Sequence, residues 1–332
     1  MSNTSLPSTS RAAIALAFAA VYLIWGSTYL AIRVGIETLP PFTLAAVRFL
    51  IAGVILYAIL RLRGATRPTR AQWLRTAGIG TLLLCGGNGL VCAAEEFVPS
   101  GIAALFVATV PVFMVMLDRW WNRATRVSPL TAVGITMGLG GTVVLVSVDG
   151  GSGTPMHLGG ALLLLGAALS WSIGSVVARG KIDLPRSPVM ATAMEMIGGS
   201  VALGIVAVVL GEPVTVDRSA ISTESLVALA YLIVFGSIIA LSAYVWLLGQ
   251  VSVASVSTYA FVNPVVALFL GWWWKEEPFG VGTAIASVLI LAGVILVHFA
   301  RTARGREDRL ESEKRRTQGS SVARAPCVDP AD

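Results

Sequence analysis

The sequence predicts an all-α integral membrane protein of ten transmembrane helices, arranged as two inverted five-helix repeats. Composition is the first reason. Apolar residues make up 55% of the chain and charged residues 13%, with a mean hydropathy of +0.79, whereas soluble domains carry roughly a quarter charged residues. So few charges cannot cover a surface that faces water, and a bilayer removes that demand. The second reason is how the apolar residues are gathered. They fall near 12–32, 43–60, 73–94, 101–121 and 129–148, then near 158–178, 189–211, 225–249, 252–273 and 279–300. Each segment is close to the ~20 residues that cross a bilayer as a helix. Helices satisfy their own backbone groups in lipid, and the period-2 alternation of a membrane β-barrel is absent. The third reason is repetition. Trp25 matches Trp171, Leu39-Pro40 matches Leu184-Pro185 and Gly53 matches Gly199, at spacings of 146, 145 and 146 residues. Further on, Val110-Pro111 matches Asn263-Pro264, with Trp120-Trp121 and Trp273-Trp274 equally far beyond each proline. Five helices per copy is an odd number, so the second copy is reversed in the membrane, the arrangement of carriers that alternate access around a central site.

Residues 1–11 read as a short cytoplasmic N-terminus. Arg11 ahead of an apolar run, with Ala17-Phe18-Ala19 inside it, imitates a signal peptide. The run continues to Ile32, the length of a full span, and so reads as an uncleaved first helix. The first repeat occupies 12–149 and the second 158–300, joined by a periplasmic linker at 150–157. The linker glycines of Gly150-Gly151-Ser152-Gly153 lack the strand, lysine and helix start of a phosphate-binding loop. Gly134 and Gly138 form a GxxxG pattern in the fifth helix, with Gly141 on the same face. Small residues let helices approach closely, here within one bundle or between two copies. Residues 301–332 form a basic tail, low in apolar residues and expected to be disordered. It suits a surface of anionic lipid and not nucleic acid.

Lysine and arginine set the orientation. Of the 24 basic residues, 20 fall in the N-terminus, the tail and alternate loops, all on one side of the bilayer. Arg33, Arg218 and Lys275 fall on the other side, and Arg48 alone lies within a span. Both termini are therefore expected in the cytoplasm, which requires an even number of spans.

Several runs resemble the EamA-type members of the drug/metabolite transporter superfamily and, within them, the YedA-like bacterial branch. They are Tyr22-Leu23-Ile24-Trp25-Gly26-Ser27-Thr28, Arg48-Phe49, Val98-Pro99-Ser100-Gly101-Ile102-Ala103-Ala104 and Ala108-Thr109-Val110-Pro111. The second half adds Ser170-Trp171-Ser172-Ile173-Gly174-Ser175, Phe235-Gly236-Ser237-Ile238-Ile239-Ala240 and Tyr259-Ala260-Phe261-Val262-Asn263-Pro264-Val265-Val266-Ala267. The resemblance spans about residues 12–300. It implies a ten-helix carrier of the bacterial inner membrane that exports amino acids, related metabolites or drugs.

The residues expected to line a substrate cavity are polar or aromatic groups at membrane depth. Trp25, Trp171, Tyr244 and Tyr259 lie inside spans, where aromatic rings bind apolar ligands and cations or serve only to pack. Asn88 and Asn263 could touch substrate or bond a neighbouring helix. Pro111 and Pro264 each remove one backbone donor and free a carbonyl, giving a hinge, a cavity-lining oxygen or a plain kink. Arg48 and Glu195 are the charges left within spans, and such charges are costly and default to functional candidates. By helical rise Arg48 lies about 8 Å in from the periplasmic face and Glu195 about 9 Å from the cytoplasmic one. In a core of about 30 Å their depths then differ by about 13 Å, so two separate roles are expected. Arg48 would attract a carboxylate or tie down a gate. Glu195 would bind a substrate ammonium or carry a coupling proton, or each would bond locally for structure. Trp120, Trp121, Trp272, Trp273 and Trp274 sit at helix ends and read as interfacial belts.

Cys85 and Cys92 are seven residues apart on one helix face, about 10 Å by rise and too far to bridge. His157 and His298 have no metal-ligand spacing around them, and no nucleotide-binding or nucleophile motif occurs. No cofactor and no enzymatic activity are expected. The function expected is secondary transport of a small molecule, by alternating access. A lipid-modifying membrane enzyme would need a cluster of facing acidic or histidine residues, and a channel a continuous polar pore; the sequence suggests neither.

Overall fold

The computed structural model describes residues 11–122, 129–147, 157–178, 182–215, 218–251 and 259–300. The N-terminal segment, the linker glycines 150–153 and the basic tail lie outside them. Every secondary-structure element among the described residues is helical. The main helices are α1 (Arg11–Gly35), α2 (Pro41–Leu62), α3 (Arg70–Ala94), α4 in two pieces (Ser100–Val107 and Val110–Asn122) and α5 (Pro129–Ser147). Then come α6 (Leu158–Ala178), α7 (Pro188–Val209), α8 in three consecutive stretches (Thr223–Tyr231, Leu232–Ile239 and Ala240–Gln250), α9 (Tyr259–Lys275) and α10 (Val281–Ala300). By length and composition, seven of them can cross a membrane: α1, α2, α3, α6, α7, the α8 run Thr223–Tyr244, and α10.

The starts of these helices differ in a way that matters for the site. Thr69 closes a capping box with Gln72 at the start of α3, and Ser187 and Ser222 cap α7 and α8. Such caps satisfy backbone N–H groups that the first helical turn leaves open. The residues before α2 and α4 are Pro40 and Pro99, and neither supplies a side-chain cap. Those two helix starts draw their acceptors from the other half of the chain.

Two helices widen in mid-course. Thr81–Gly89 in α3 and Leu232–Ile239 in α8 are π-helical. A π stretch loosens the normal ladder and is frequent at functional sites. It also leaves carbonyls open to side chains from outside the helix.

Packing follows a pattern of exchange. α1 packs on α8 and α9, and α6 packs on α3 and α4; α2 lies along α7, and α4 along α9. The fifth helices also meet. A Cβ on Gly134 would sit 2.7 Å from the Gly293 carbonyl oxygen, and one on Gly141 would sit 2.9 Å from the Ile290 nitrogen. The glycine face of α5 is thus spent on α10 of the same chain. Swapping the halves of the chain maps this set of contacts onto itself. One apolar core gathers Phe106, Leu164 and Ile290 between α4, α6 and α10. A second gathers Phe49, Leu203 and Leu232 between α2, α7 and α8.

Candidate functional site

The α8 π stretch is where the expected site residues converge. Trp25 on α1 donates its indole N–H to the Gly236 carbonyl oxygen at 3.1 Å. Arg48 on α2 reaches the next residue, its Nε donating to Ser237 Oγ at 2.9 Å. The Arg48 side chain is 5% exposed and lies over the Phe49 ring at 4.6 Å. Its Nη1 has no hydrogen-bond partner among the described residues. A buried guanidinium with an unused N–H is an anion-binding group, because its charge cannot be discarded and each open donor is unfavourable without a partner. Gly236 makes room for it: a Cβ there would lie 3.1 Å from the Thr28 methyl and 3.2 Å from Arg48 Nη2.

Beside this group Trp25 packs with Tyr244 and Tyr259. Ring centroids are 5.1 Å apart for Trp25–Tyr244, 5.1 Å for Trp25–Tyr259 and 5.8 Å for Tyr244–Tyr259. Both contacts of Tyr259 are edge-on, the arrangement aromatic quadrupoles favour. Asn263, with its amide oriented to satisfy both groups, donates to the carbonyls of Tyr259 at 3.1 Å and Tyr22 at 3.3 Å. It therefore ties α9 to α1 through backbone. Pro264 lies within the continuous helix α9. Pro111 is the second residue of the second piece of α4, directly after the break at Ala108–Thr109.

The other expected residues gather on the opposite half, around the α3 π stretch. Trp171 on α6 packs against Gly87, where a Cβ would meet its ring at 2.8 Å. Its neighbour Ser170 donates to the Leu82 carbonyl at 2.8 Å. In each half, then, the first helix of one repeat satisfies a carbonyl opened in the third helix of the other. Asn88 accepts from the Cys92 thiol at 3.6 Å, and Cys92 lies within electrostatic reach of Arg48. Glu195 on α7 is half-buried, and its main-chain carbonyl is pressed against Gly80 of α3. No ion pair joins Arg48 and Glu195 among the described residues, where the pairs found are Arg75–Asp183 and Lys275–Glu37. Trp120, Trp272, Trp273 and Trp274 stand exposed at helix ends; the Trp121 side chain lies outside the described residues.

Some residues of consequence were not singled out from the sequence. Glu212, just after α7, accepts from the backbone N–H groups of Phe42 at 3.1 Å and Thr43 at 2.7 Å, and so caps α2. Glu277, just after α9, accepts from Ser100 at 2.8 Å and Gly101 at 3.1 Å, and so caps α4. Carboxylates at helix N-termini gain from both the open N–H groups and the helix dipole. Each sits on the repeat mate of the helix it caps. The signal was present as a pair of helices starting after proline, with no cap of their own. Glu95, fully buried just past α3, is a third such residue. Glu37, Glu96 and Glu212 also line a crevice of about 570 Å³ at this end of the bundle.

Comparison with known proteins adds the family context. Residues 12–147 and 158–299 each match the model of the EamA-like transporter family. Over 279 residues the chain is 44% identical to a protein of Escherichia coli K12 named as the inner membrane transporter YedA, covering 84% of this chain and 88% of that one. It is 25% identical over 292 residues to the transporter YoaV of Bacillus subtilis, covering 86% of this chain and 97% of that one. One crystal structure shares the fold with a TM-score of 0.59 at 24% identity, over 89% of this chain and 99% of the other.

Proposed function

The chain belongs to the EamA-like transporter family, and from that premise we propose that it is a secondary transporter of the bacterial inner membrane. It exports amino acids or related small metabolites or drugs by alternating access. Its ten helices α1–α10 are ten spans, in repeats covering 12–149 and 158–300, with both termini in the cytoplasm. The exchange symmetry of the packing supports the inverted repeat, because a reversed copy places the end of each helix in the second half beside the start of its mate in the first. The relative named as an inner membrane transporter supports the location.

The observation that carries the substrate class is the unused Nη1 of buried Arg48 beside the rings of Trp25, Tyr244 and Tyr259. The guanidinium takes the substrate carboxylate. The aromatic rings take its ammonium or apolar side chain, by cation–π attraction or by burial. The two π stretches are where α3 and α8 bend as access alternates, since their ladders are already loosened. Glu195 serves the cytoplasmic mouth as a site for an ammonium or a coupling proton.

An uptake screen over the amino acids and a set of amphipathic drugs tests this, using purified protein in liposomes with and without a proton gradient. Saturable uptake of at least one carboxylate-bearing compound, abolished by Arg48→Ala, is the expected result. No saturable uptake of any compound by folded protein overturns the reading.

A further inference from the structure

Glu95 lies at the end of α3 that the proposed topology places outside, one residue beyond the helix. It is 0% exposed, and neither carboxylate oxygen has a hydrogen-bond partner among the described residues. The groups facing it are named from each element around it. From α1 come Tyr29 and Arg33, from its own helix Cys92, and from the segment after α9 comes Glu277. Arg33 does not neutralise it by contact, since its guanidinium donates to the main-chain oxygen of Glu95. Glu277 is committed as an acceptor to the N–H groups that open α4. Ser100, the first residue of that helix, has its own hydroxyl buried without a partner among the described residues.

Two carboxyl groups in one low-dielectric site cannot both be ionised. Glu277 accepts from two backbone donors, whereas Glu95 has none among the described residues to stabilise a carboxylate. The proton of the pair therefore resides on Glu95. Burial pushes the Glu95 carboxyl well above the ordinary carboxylate range, and the charge of Glu277 pushes it further, against a smaller pull from Arg33.

We infer that Glu95 is a proton-binding site whose occupancy is tied to the Glu277 cap on α4: loaded while the cap holds and the mouth is shut, empty once α4 moves away. On opening, water reaches the carboxyl, its O–H bond breaks, the proton passes to water and a hydrated carboxylate remains. On closing, the carboxylate takes a proton back from the outer solution. Acidity outside would thus favour the closed mouth. The inference rests on the transport reading only for which side is outside, and its chemistry can be tested with no substrate.

The test is infrared difference spectroscopy of purified protein in lipid, titrated from acid to alkaline pH. The probe is the carbonyl-stretch band of a protonated carboxylic acid. In the wild type one such band should persist at neutral pH and be missing from Glu95→Gln. In Glu277→Gln the same band should titrate away at lower pH, by at least about one pH unit, which is a tenfold change in proton affinity. Glu95→Gln should keep a cooperative melting transition, since an amide is nearly the shape of the protonated acid. A wild type with no neutral-pH band that Glu95→Gln removes would overturn the site. A band whose titration ignores Glu277→Gln would overturn its link to the cap. A failed uptake screen with a positive infrared result would sink the transport reading and leave the proton site standing.

Discussion

The indole nitrogen of Trp25 donates to the carbonyl oxygen of Gly236 at 3.1 Å, across 211 positions of sequence. That bond joins the first helix to a carbonyl in the π stretch of the eighth. It fixes the ring that Tyr244 and Tyr259 pack against. Trp25→Phe keeps a ring and deletes the donor. It should lower stability by about 1 kcal/mol, the net worth of one such bond. Trp25→Ala also loses both ring pairs, each worth about 0.5–1.5 kcal/mol beyond buried area. Thermal unfolding in detergent should rank wild type, then Phe, then Ala.

Arg48 lies against Ser237 of α8 and Glu195 against Gly80 of α3, so their substitutions should not rescue each other. Combined Arg48→Ala and Glu195→Gln should be additive in stability to within about 0.5 kcal/mol, as for sites without shared partners. Ser237→Ala removes a hydrogen bond to a charged group and should cost about 1.5–3 kcal/mol. Chemical denaturation of the single and double variants measures both. Restored transport in the double variant alone would show a pairing that the helices do not bring about here.

The fold was more legible than the site. Nine of the apolar runs lie within about three residues of the helices found, because length and hydropathy act locally; the run near 252–273 starts at 252–258, outside the described residues, and its helix is described from Tyr259. The trio Trp25, Tyr244 and Tyr259 was also legible as intramembrane aromatics. What brings them together is a pair of π stretches, and no side chain in Thr81–Gly89 or Leu232–Ile239 announces one. The caps from Glu212 and Glu277 were hidden for another reason. They join residues 169 to 177 positions apart, and only the crossing of the two halves makes those pairs neighbours. Asn88 and Asn263, alike as intramembrane amides, diverge in setting. Asn263 bonds backbone on α9 and α1, while Asn88 meets a thiol on its own helix.

Removing either cap should loosen the end of the bundle where α2 and α4 start. Glu277→Ala leaves the Ser100 and Gly101 N–H groups open, and Glu212→Ala does the same for Phe42 and Thr43. Each should cost about 0.5–2 kcal/mol, as lost N-caps do. Hydrogen exchange at the first turns of α4 and α2 should rise in the matching variant. Faster exchange spread evenly over the protein would argue for global destabilisation instead.

Stability should fall as pH rises above the ordinary carboxylate value near 4.5. Both Glu95 and Glu96 are raised, chiefly by burial. A raised carboxyl keeps its proton in the folded chain at pH values where the unfolded chain has lost it. Its contribution is therefore complete in acid and drains away as pH climbs to the folded value. Glu95→Gln should flatten most of that slope, and the partly exposed Glu96 should account for little of it. Melting temperatures across the pH range, wild type against variant, measure this.

The α5–α10 contact predicts that Gly134→Val and Gly141→Val destabilise the bundle by about 1–3 kcal/mol through overpacking. The oligomeric state in detergent, read by light scattering, should not change, because that face is already covered by α10. Dissociation of a wild-type dimer by either substitution would place the glycines at a contact between copies.

Orientation is tested by fusion. A reporter active only in the periplasm should be silent after Gly64 or Arg304 and active within 151–154. Removing the tail after Arg309 should leave transport nearly intact.

The central claim is that Arg48 receives a substrate carboxylate beside the aromatic trio, and one comparison tests it most directly. Uptake by wild type and Arg48→Ala is measured in liposomes for an amino acid found in the screen, and competition against it is measured with the same amino acid and with its decarboxylated amine. The account predicts that the amine competes at least about tenfold more weakly than the amino acid in the wild type, the ~1.4 kcal/mol or more of a lost charged hydrogen bond. Arg48→Ala should erase that preference while remaining folded. An unchanged preference for the carboxylate in Arg48→Ala would contradict the claim.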